Sequence, residues 1–296
     1  MTMVKYSAVR IIYNPNSTGD SKAMALELKR ELTKDLKGID IKCIPTERAG
    51  HAWELAREIA IMEKKPLIIS SSGDGGYNEV VNGVMDSGNS NAICAVLPAG
   101  NANDHSRTMQ NNPLSKQIIK GKVTRLDLIK VTASARGQKS TSRYAHSYVG
   151  LGLTPVVATE LNRHTLTAFK EIVLVLKTFH KYRPFKISHG GKVISLDSLL
   201  FGNINQMAKV LTLAKENRPD DGRFEIITFP SGNKGQLVKR LAQAAATSLN
   251  TKHRAKQYRF TVIKKMPMQL DGEVMILKAG SEVTIESAHK ALRTII

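Results

Sequence analysis

Cysteines, long apolar runs and aromatic residues are all scarce in this chain. Only two cysteines occur in 296 residues, Cys43 and Cys94, which excludes a disulfide scaffold and favours free, buried thiols in a reducing compartment. The strongest apolar patch, from Ile172 to Leu176, is far too short to span a bilayer. The first residues also lack the apolar core of a signal peptide. We therefore expect a soluble cytoplasmic protein.

Acidic residues are few relative to basic ones, and the imbalance is uneven. The chain carries 44 Lys and Arg against 25 Asp and Glu. Residues 1–121 hold 15 basic and 13 acidic side chains, so residues 122–296 hold 29 and 12, a balance of +17. Such an excess favours an anionic partner, either a lipid surface or a nucleic acid, the alternative being a solvated basic face with no partner. With aromatics at 5% and no nucleic-acid motif, we expect no nucleic-acid partner.

Up to residue 121, apolar strands alternate with amphipathic helices. This order predicts an α/β domain that is doubly wound and Rossmann-like, with a parallel sheet between two helix layers. The predicted strands cover 8–13, 39–44, 66–70 and 92–97, and the predicted helices cover 21–36, 49–62 and a segment ending near Met85.

The pattern changes near residue 122, where strands become more frequent than helices. The predicted strands lie at 123–131, 144–150, 185–188, 193–201, 224–229, 258–263 and 283–287, with helices at 166–182 and 236–248. We expect two domains, 1–121 and 122–296. The second is mostly antiparallel and β-rich, and the last residues of the chain are free to return to the first.

Polar, glycine-bearing loops follow three of the predicted parallel strands. They come after Tyr13, Ser71 and Leu97, and loops at the carboxyl ends of such strands meet at one edge of the sheet. The loop after Ser71 opens a helix, so its bare amides and the helix dipole favour an anion such as phosphate. Asp74 in that loop would repel phosphate unless a cation or a proton lay between them. The combination indicates phosphoryl transfer through a metal ion.

Four motifs, taken in order, resemble the signatures of one family. They are Asn14-Pro15-Asn16-Ser17-Thr18-Gly19, Gly73-Asp74-Gly75 with Asn78-Glu79-Val80 and Asn82-Gly83, Leu97 to Asp104, and Leu270-Asp271-Gly272-Glu273. Together they resemble the diacylglycerol kinase catalytic domain, which is grouped with sphingosine kinases and, more distantly, with NAD kinases. Gly76 and Asn101 stand where that family has threonine.

The resemblance implies a two-domain kinase with its active site, holding ATP and Mg²⁺, in the cleft between the domains. It assigns catalytic roles to Glu273 as general base, to Asp271, and to Asp74 as an organiser of metal and phosphates. The residues expected to bind the nucleotide are Asn14, Ser17, Ser72, Gly73, Gly75, Gly76, Asn78, Glu79, Gly100, Asn101, Asn103 and Asp104. From the residues alone, Asp271-Gly272 is equally the turn of a hairpin.

The resemblance also implies a structural divalent cation at Asp220-Asp221-Gly222. Its ligands would be the Asp221 carboxylate and main-chain carbonyls of Arg218 and Arg223, with Asp127 in the same network. Hard oxygen ligands of this kind suit Mg²⁺ or Ca²⁺. The alternative is a solvated turn without metal.

These observations favour an ATP-dependent lipid kinase that phosphorylates diacylglycerol, giving phosphatidic acid, or a related lipid alcohol in phospholipid biosynthesis. Basic residues around the predicted helix at 166–182 would hold the enzyme peripherally at an anionic membrane: Lys170, Lys177, Lys181, Arg183 and Lys186. The alternatives are a catalytically weak lipid- or nucleotide-binding relative and an NAD kinase-like enzyme. A homodimer is left open.

Overall fold

The computed structural model describes residues 6–109, 112–135, 137–152, 184–207, 211–212, 218–232 and 253–296. It divides the chain into two compact units, Met1–Leu126 with Lys290–Ile296, and Asp127–His289. The division thus lies slightly later than residue 121, within a strand, and the C-terminal residues belong to the first unit. The helices predicted at 166–182 and 236–248 lie outside the described residues, as do four of the five cations assigned to the membrane.

Unit 1 is a parallel sheet with helices on both faces, as predicted. Its first four strands along the chain lie side by side in the order second, first, third, fourth, and Thr294 pairs in parallel with Cys94 of the fourth. The elements are β1 (Ala8–Tyr13), α1 (Ser21–Asp35), β2 (Ile41–Pro45), α2 (His51–Met62), β3 (Pro66–Ser72), α3 (Asp74–Ser87), β4 (Ile93–Pro98), α4 (Asp104–Met109) and α5 (Leu114–Lys120).

Alternating side chains of the strands bury both faces of this sheet. Val9 and Ile11 pack against apolar residues of α1 and α5, while Ile12 and Ile68 point to the opposite face and are equally buried. There α2 and α3 contact β1 and β3. Burial on both faces explains why β3 is apolar or small throughout. Because the strands are parallel, their carboxyl ends lie at one edge of the sheet.

Unit 2 is built from antiparallel strands. Seven of them follow the order β16-β15-β7-β9-β8-β14-β17, with β12 beside β9. The strands are β5 (Thr124–Ser134), β6 (Thr141–Ala145), β7 (Tyr148–Gly152), β8 (Phe185–His189), β9 (Lys192–Gly202), β10 (Gln206–Met207), β11 (Leu211–Thr212), β12 (Phe224–Pro230), β13 (Arg254–Ala255), β14 (Gln257–Val262), β15 (Met266–Leu270), β16 (Glu273–Leu277) and β17 (Glu282–Thr294). β5 and β17 each contain residues of both units.

Two features of unit 2 differ from the sequence prediction. The single strand expected at 144–150 is divided into β6 and β7, with a break at His146 and Ser147. The hairpin of β15 and β16 was not predicted as strands at all. The break arises from Asp271, whose contacts are described below, whereas the hairpin was missed because Pro267 weakens the strand pattern. Among the described residues, no helix has the length and apolar character needed to cross a membrane.

Candidate active site

The three polar loops of unit 1 are fastened to one another through their main chains. The Gly19 amide donates to the Ala99 carbonyl at 2.9 Å, and the Ala99 amide donates to the Ser72 carbonyl at 2.9 Å. The Asn14 amide reaches the Ser71 carbonyl at 3.3 Å. The loops after β1, β3 and β4 therefore form one continuous structure at the carboxyl edge of the sheet, as the strand order predicts.

Glycines allow these loops to approach so closely. A Cβ atom on Gly100 would lie 2.4 Å from the Gly73 Cα, and one on Gly19 would lie 2.8 Å from the Ala99 carbonyl oxygen. Neither distance is compatible with a side chain. Gly73 also precedes the first residue of the 14-residue helix α3 and offers no side chain to cap it. The N-terminus of such a helix is suited to binding a phosphate.

Asp74 connects the loop after β3 with the loop after β4. Its Oδ2 accepts the Asp104 amide at 3.0 Å, and its Oδ1 accepts the His105 amide at 3.2 Å. These are the first amides of α4, so the carboxylate caps that helix. Asp104 itself is buried and pairs through Oδ1 with the Arg107 guanidinium at 2.6 Å.

Asn103 holds the turn that precedes α4. Its backbone has a φ of 50°, a left-handed conformation that asparagine tolerates better than most residues. The side-chain oxygen accepts the Gly100 amide at 3.0 Å, and the side-chain nitrogen donates to the Gly100 carbonyl at 2.7 Å. Asn101 at the tip of this loop is exposed. Asn103 thus shapes the loop through both of its polar atoms.

Ser72 occupies the space that a side chain at position 76 would need. A Cβ atom on Gly76 would lie 2.4 Å from the Ser72 Oγ and 2.8 Å from its Cβ. The Ser72 hydroxyl donates to the Gly73 carbonyl at 3.0 Å and lies 2.7 Å from the Ser70 hydroxyl. Position 76 therefore has no hydroxyl in this chain, and the Ser72 hydroxyl lies next to it.

Three other residues of the second motif make contacts within unit 1 that shape its helices. The Glu79 carboxylate accepts the amides of Gly50 and Ala52 at 2.8 and 3.1 Å, capping the N-terminus of α2. The Asn82 side chain donates to the carbonyl and side-chain oxygens of Asn78 at 2.9 and 3.0 Å. Both asparagines are buried. Glu79 and Asn78 thus both have protein partners within unit 1.

The remaining predicted nucleotide contacts lie on the same loops. The Ser17 amide donates to the Asn14 carbonyl at 3.0 Å, closing the turn after β1. Both residues are half-buried. Gly75 belongs to the first turn of α3. Apart from Asn78 and Glu79, the structure thus gathers the predicted nucleotide residues onto the three connected loops.

In unit 2, Asp271 and Gly272 form the turn of the β15–β16 hairpin, with φ angles of 48° and 100°. The fully buried Asp271 carboxylate accepts the amides of His146, Ser147 and Tyr148 at 2.6, 3.0 and 2.8 Å. This arrangement breaks the predicted strand at 144–150, because these three consecutive amides donate to the carboxylate. Asp271 therefore supports the hairpin rather than facing solvent.

Glu273 has the opposite character. It is the first residue of β16, pairs with Leu270 across the hairpin, and is exposed. An exposed carboxylate beside a rigid turn can meet a substrate hydroxyl and accept its proton. Within the Asp-Gly-Glu motif, Asp271 thus supports the hairpin, whereas Glu273 is accessible to a substrate.

The loop predicted to hold a structural metal is held by protein groups. Asp221 accepts the Arg223 amide through Oδ1 at 3.1 Å and pairs through Oδ2 with the Arg254 guanidinium. Asp127 accepts the Gly222 amide at 2.5 Å through Oδ2. Arg218 is exposed beside this loop. Within the described residues, no group of three or more His, Cys, Asp or Glu side chains is arranged to bind a metal ion.

Arg254 was not among the predicted site residues. It lies 33 positions beyond Asp221, in a two-residue strand that no periodicity reveals. Its one local signal, an arginine in a basic stretch, does not distinguish it from its neighbours.

Comparison with known proteins tests the family resemblance. Residues 8–131, which contain all three loops, match the family model of the diacylglycerol kinase catalytic domain. The resemblance to the diacylglycerol kinase family is confirmed. Diacylglycerol kinases of Staphylococcus aureus strains bovine RF122 / ET3-1 and MRSA252 are 28% identical to this chain over 286 residues, which is 89% of this chain and 85% of each relative.

Solved structures agree with the fold assignment. A diacylglycerol kinase of Bacillus anthracis strain Sterne superposes with a TM-score of 0.73 at 21% sequence identity. The alignment covers 99% of this chain and 98% of that protein. The chain therefore has the two-domain α/β fold of a diacylglycerol kinase.

Proposed function

We propose that this protein is an ATP-dependent lipid kinase that transfers the γ-phosphoryl group to the hydroxyl of diacylglycerol or a related lipid alcohol. One observation carries the proposal: three main-chain-bonded loops lie at the carboxyl edge of a parallel sheet, and Asp74 connects two of them, in a segment that matches the diacylglycerol kinase catalytic domain. Family membership supports a kinase, and the relatives named above support diacylglycerol as acceptor.

The phosphate-binding role belongs to the start of α3 and its glycines. The first amides of α3 and the positive end of its helix dipole would stabilise phosphate oxygens. Mg²⁺ in kinases is usually held by one or two carboxylates together with the phosphates. Asp74 is the first residue of α3, so its carboxylate would hold such an ion beside the phosphates, and the ion would neutralise their charge.

Glu273 supplies the proton acceptor in this proposal. As the lipid oxygen bonds to the γ-phosphorus, the bond to the ADP oxygen breaks and the hydroxyl proton passes to the Glu273 carboxylate. The exposure of Glu273 and its place beside a buried, thrice-bonded Asp271 support this assignment. Asp271 acts as a positioning residue, since its own oxygens are occupied by amides.

Transfer of label from [γ-³²P]ATP tests the proposal. The purified protein is incubated with Mg²⁺ and micelles containing diacylglycerol, sphingosine, ceramide or a polyprenol, and with NAD in a separate tube. We expect labelled phosphatidic acid with diacylglycerol and no labelled NAD. Absence of label on every lipid would refute the lipid kinase, and label on NAD alone would support the NAD kinase-like alternative.

A further inference from the structure

The predicted metal loop of unit 2 is bound to a guanidinium group. One oxygen of the Asp221 carboxylate pairs with the Arg254 Nη2, and the other accepts the Arg223 amide at 3.1 Å. The same guanidinium lies 2.8 Å, through its Nε, from the Glu225 Oε1. These two atoms are close enough for an ion pair, although they are not aligned for a hydrogen bond. Arg254 therefore bridges two carboxylates.

The strand pairing explains why an arginine stands here. Arg254 of β13 lies directly opposite Glu225 of β12 in an antiparallel pair, the position at which opposite charges stabilise a sheet. The Glu225 side chain is only 3% exposed, and a buried carboxylate requires a counter-charge. Arginine meets that need with a planar, permanently charged group that can serve two acceptors at once.

Asp127 fixes the other side of the loop without a metal. Its amide donates to the Pro219 carbonyl at 2.6 Å, and its Oδ2 accepts the Gly222 amide at 2.5 Å. Its Oδ1 lies 2.8 Å from the His289 Nδ1. The loop is thus bound by main-chain and side-chain hydrogen bonds on both of its sides.

These residues do not fit the divalent cation that the family resemblance implies. The principal predicted ligand, Asp221, already has a cation on one oxygen and an amide on the other. A second cation placed against the guanidinium would be repelled by it. Hard divalent ions also require several oxygen ligands, and among the described residues no group of three or more His, Cys, Asp or Glu side chains is arranged to supply them.

We propose that Arg254 replaces the structural divalent cation, so that the loop around Asp221 folds and remains stable without metal. The guanidinium takes over the electrostatic role of the ion by joining Asp221 to Glu225. This inference concerns the fold of unit 2 and is independent of the kinase activity, because it involves neither ATP nor lipid.

Nucleotide-free protein provides the test. The wild type is dialysed against EDTA, its bound Mg and Ca are counted by mass spectrometry, and its Tm is measured in EDTA, in MgCl₂ and in CaCl₂. We expect no stoichiometric ion and Tm values that agree within about 1 °C, because an ion that does not bind the native state does not stabilise it. One tightly held ion per chain, with a Tm that falls in EDTA, would overturn the proposal.

Variants then test the arginine itself. Arg254→Gln should lower the Tm in EDTA by about 3–8 °C, because it leaves a buried carboxylate without its counter-charge. The matched control, Arg259→Gln, changes an exposed arginine on the next strand and should shift the Tm by less than about 1 °C. Equal behaviour of the two variants would refute the role of Arg254. If Arg254→Gln fails to fold, the wild-type metal content and EDTA response still decide the question.

Discussion

Ser72 and Gly76 reverse the order of side chains in the family signature. The residue with a hydroxyl precedes the Gly-Asp-Gly turn in this chain and follows it in the signature. The signature has glycine before the Gly-Asp-Gly turn and threonine after it, whereas this chain has serine before and glycine after. The structure explains the pair jointly, because the Ser72 side chain occupies the space that a side chain at position 76 would need. A threonine at position 76 should therefore be tolerated only when glycine replaces Ser72.

Replacing Gly76 with threonine alone should destabilise the protein. The new Cβ would lie 2.8 Å from the Ser72 Cβ, a clash that rotation of the hydroxyl cannot relieve. We expect the free energy of unfolding in urea to fall by about 1–3 kcal/mol. The double variant S72G/G76T should recover most of this loss. A Gly76→Thr protein as stable as the wild type would contradict the packing described for this turn.

Both cysteines should react slowly in the native protein. Burial raises the pKa of the Cys94 thiol to about 12 and also raises that of Cys43, so little thiolate exists at pH 8. Ellman's reagent should label neither thiol rapidly, and both only after unfolding in guanidinium. The unfolded thiol ionises near 9.0, so stability should fall as the pH rises from about 9 towards 12. Replacing Cys94 with alanine should reduce that fall. Rapid native labelling of two thiols would contradict this burial.

At the scale of elements, a substitution of Glu79 distinguishes a helix-capping role of this residue from a nucleotide-binding role. Its carboxylate caps α2, so Glu79→Gln should lower the free energy of unfolding by about 1 kcal/mol. The KM for ATP should stay unchanged, because the side chain serves a neighbouring helix. A raised KM for ATP with unchanged stability would contradict the capping role and indicate that Glu79 binds the nucleotide.

The parallel sheet was predictable because its determinants are local. Each apolar run from β1 to β4 is bounded by polar residues, and each intervening helix has apolar residues at helical spacing. The three loops then follow from the strand order alone. The nucleotide role of Glu79 and Asn78 stays a prediction, and the motif does not reveal that the Glu79 carboxylate caps a helix 27 residues earlier.

Unit 2 was harder to predict because its key contacts are distant in sequence. The break between β6 and β7 depends on Asp271, more than 120 residues away. The β15–β16 hairpin was missed because Pro267 weakens the strand pattern, even though Asp271-Gly272 was recognised as a turn signal. Arg254 contacts Glu225 and Asp221 because β13 pairs with β12. No local sequence pattern reveals that pairing.

At the scale of the whole molecule, the uneven charge predicts salt-sensitive membrane binding. Residues 122–296 hold 29 basic and 12 acidic side chains, and basic groups near anionic lipid contribute about 1 kcal/mol each. The protein should sediment with phosphatidylserine vesicles in about 0.1 M NaCl and dissociate in about 1 M NaCl, where charges are strongly screened. Phosphatidylcholine vesicles are the control. Equal binding to both lipids, or binding unaffected by salt, would contradict an electrostatic attachment.

The most direct test of the account compares two exposed glutamates in the phosphorylation of diacylglycerol. With saturating ATP and Mg²⁺, Glu273→Gln should lower the rate of phosphatidic acid formation by roughly 10²–10⁴-fold, the usual contribution of a general base. Glu282→Gln changes an exposed carboxylate at the start of β17 and should leave the rate unchanged. We expect this difference in rate between the two variants while both remain folded like the wild type. Equal rates for the two variants would contradict the role assigned to Glu273, and a wild type that forms no phosphorylated lipid would contradict the kinase itself.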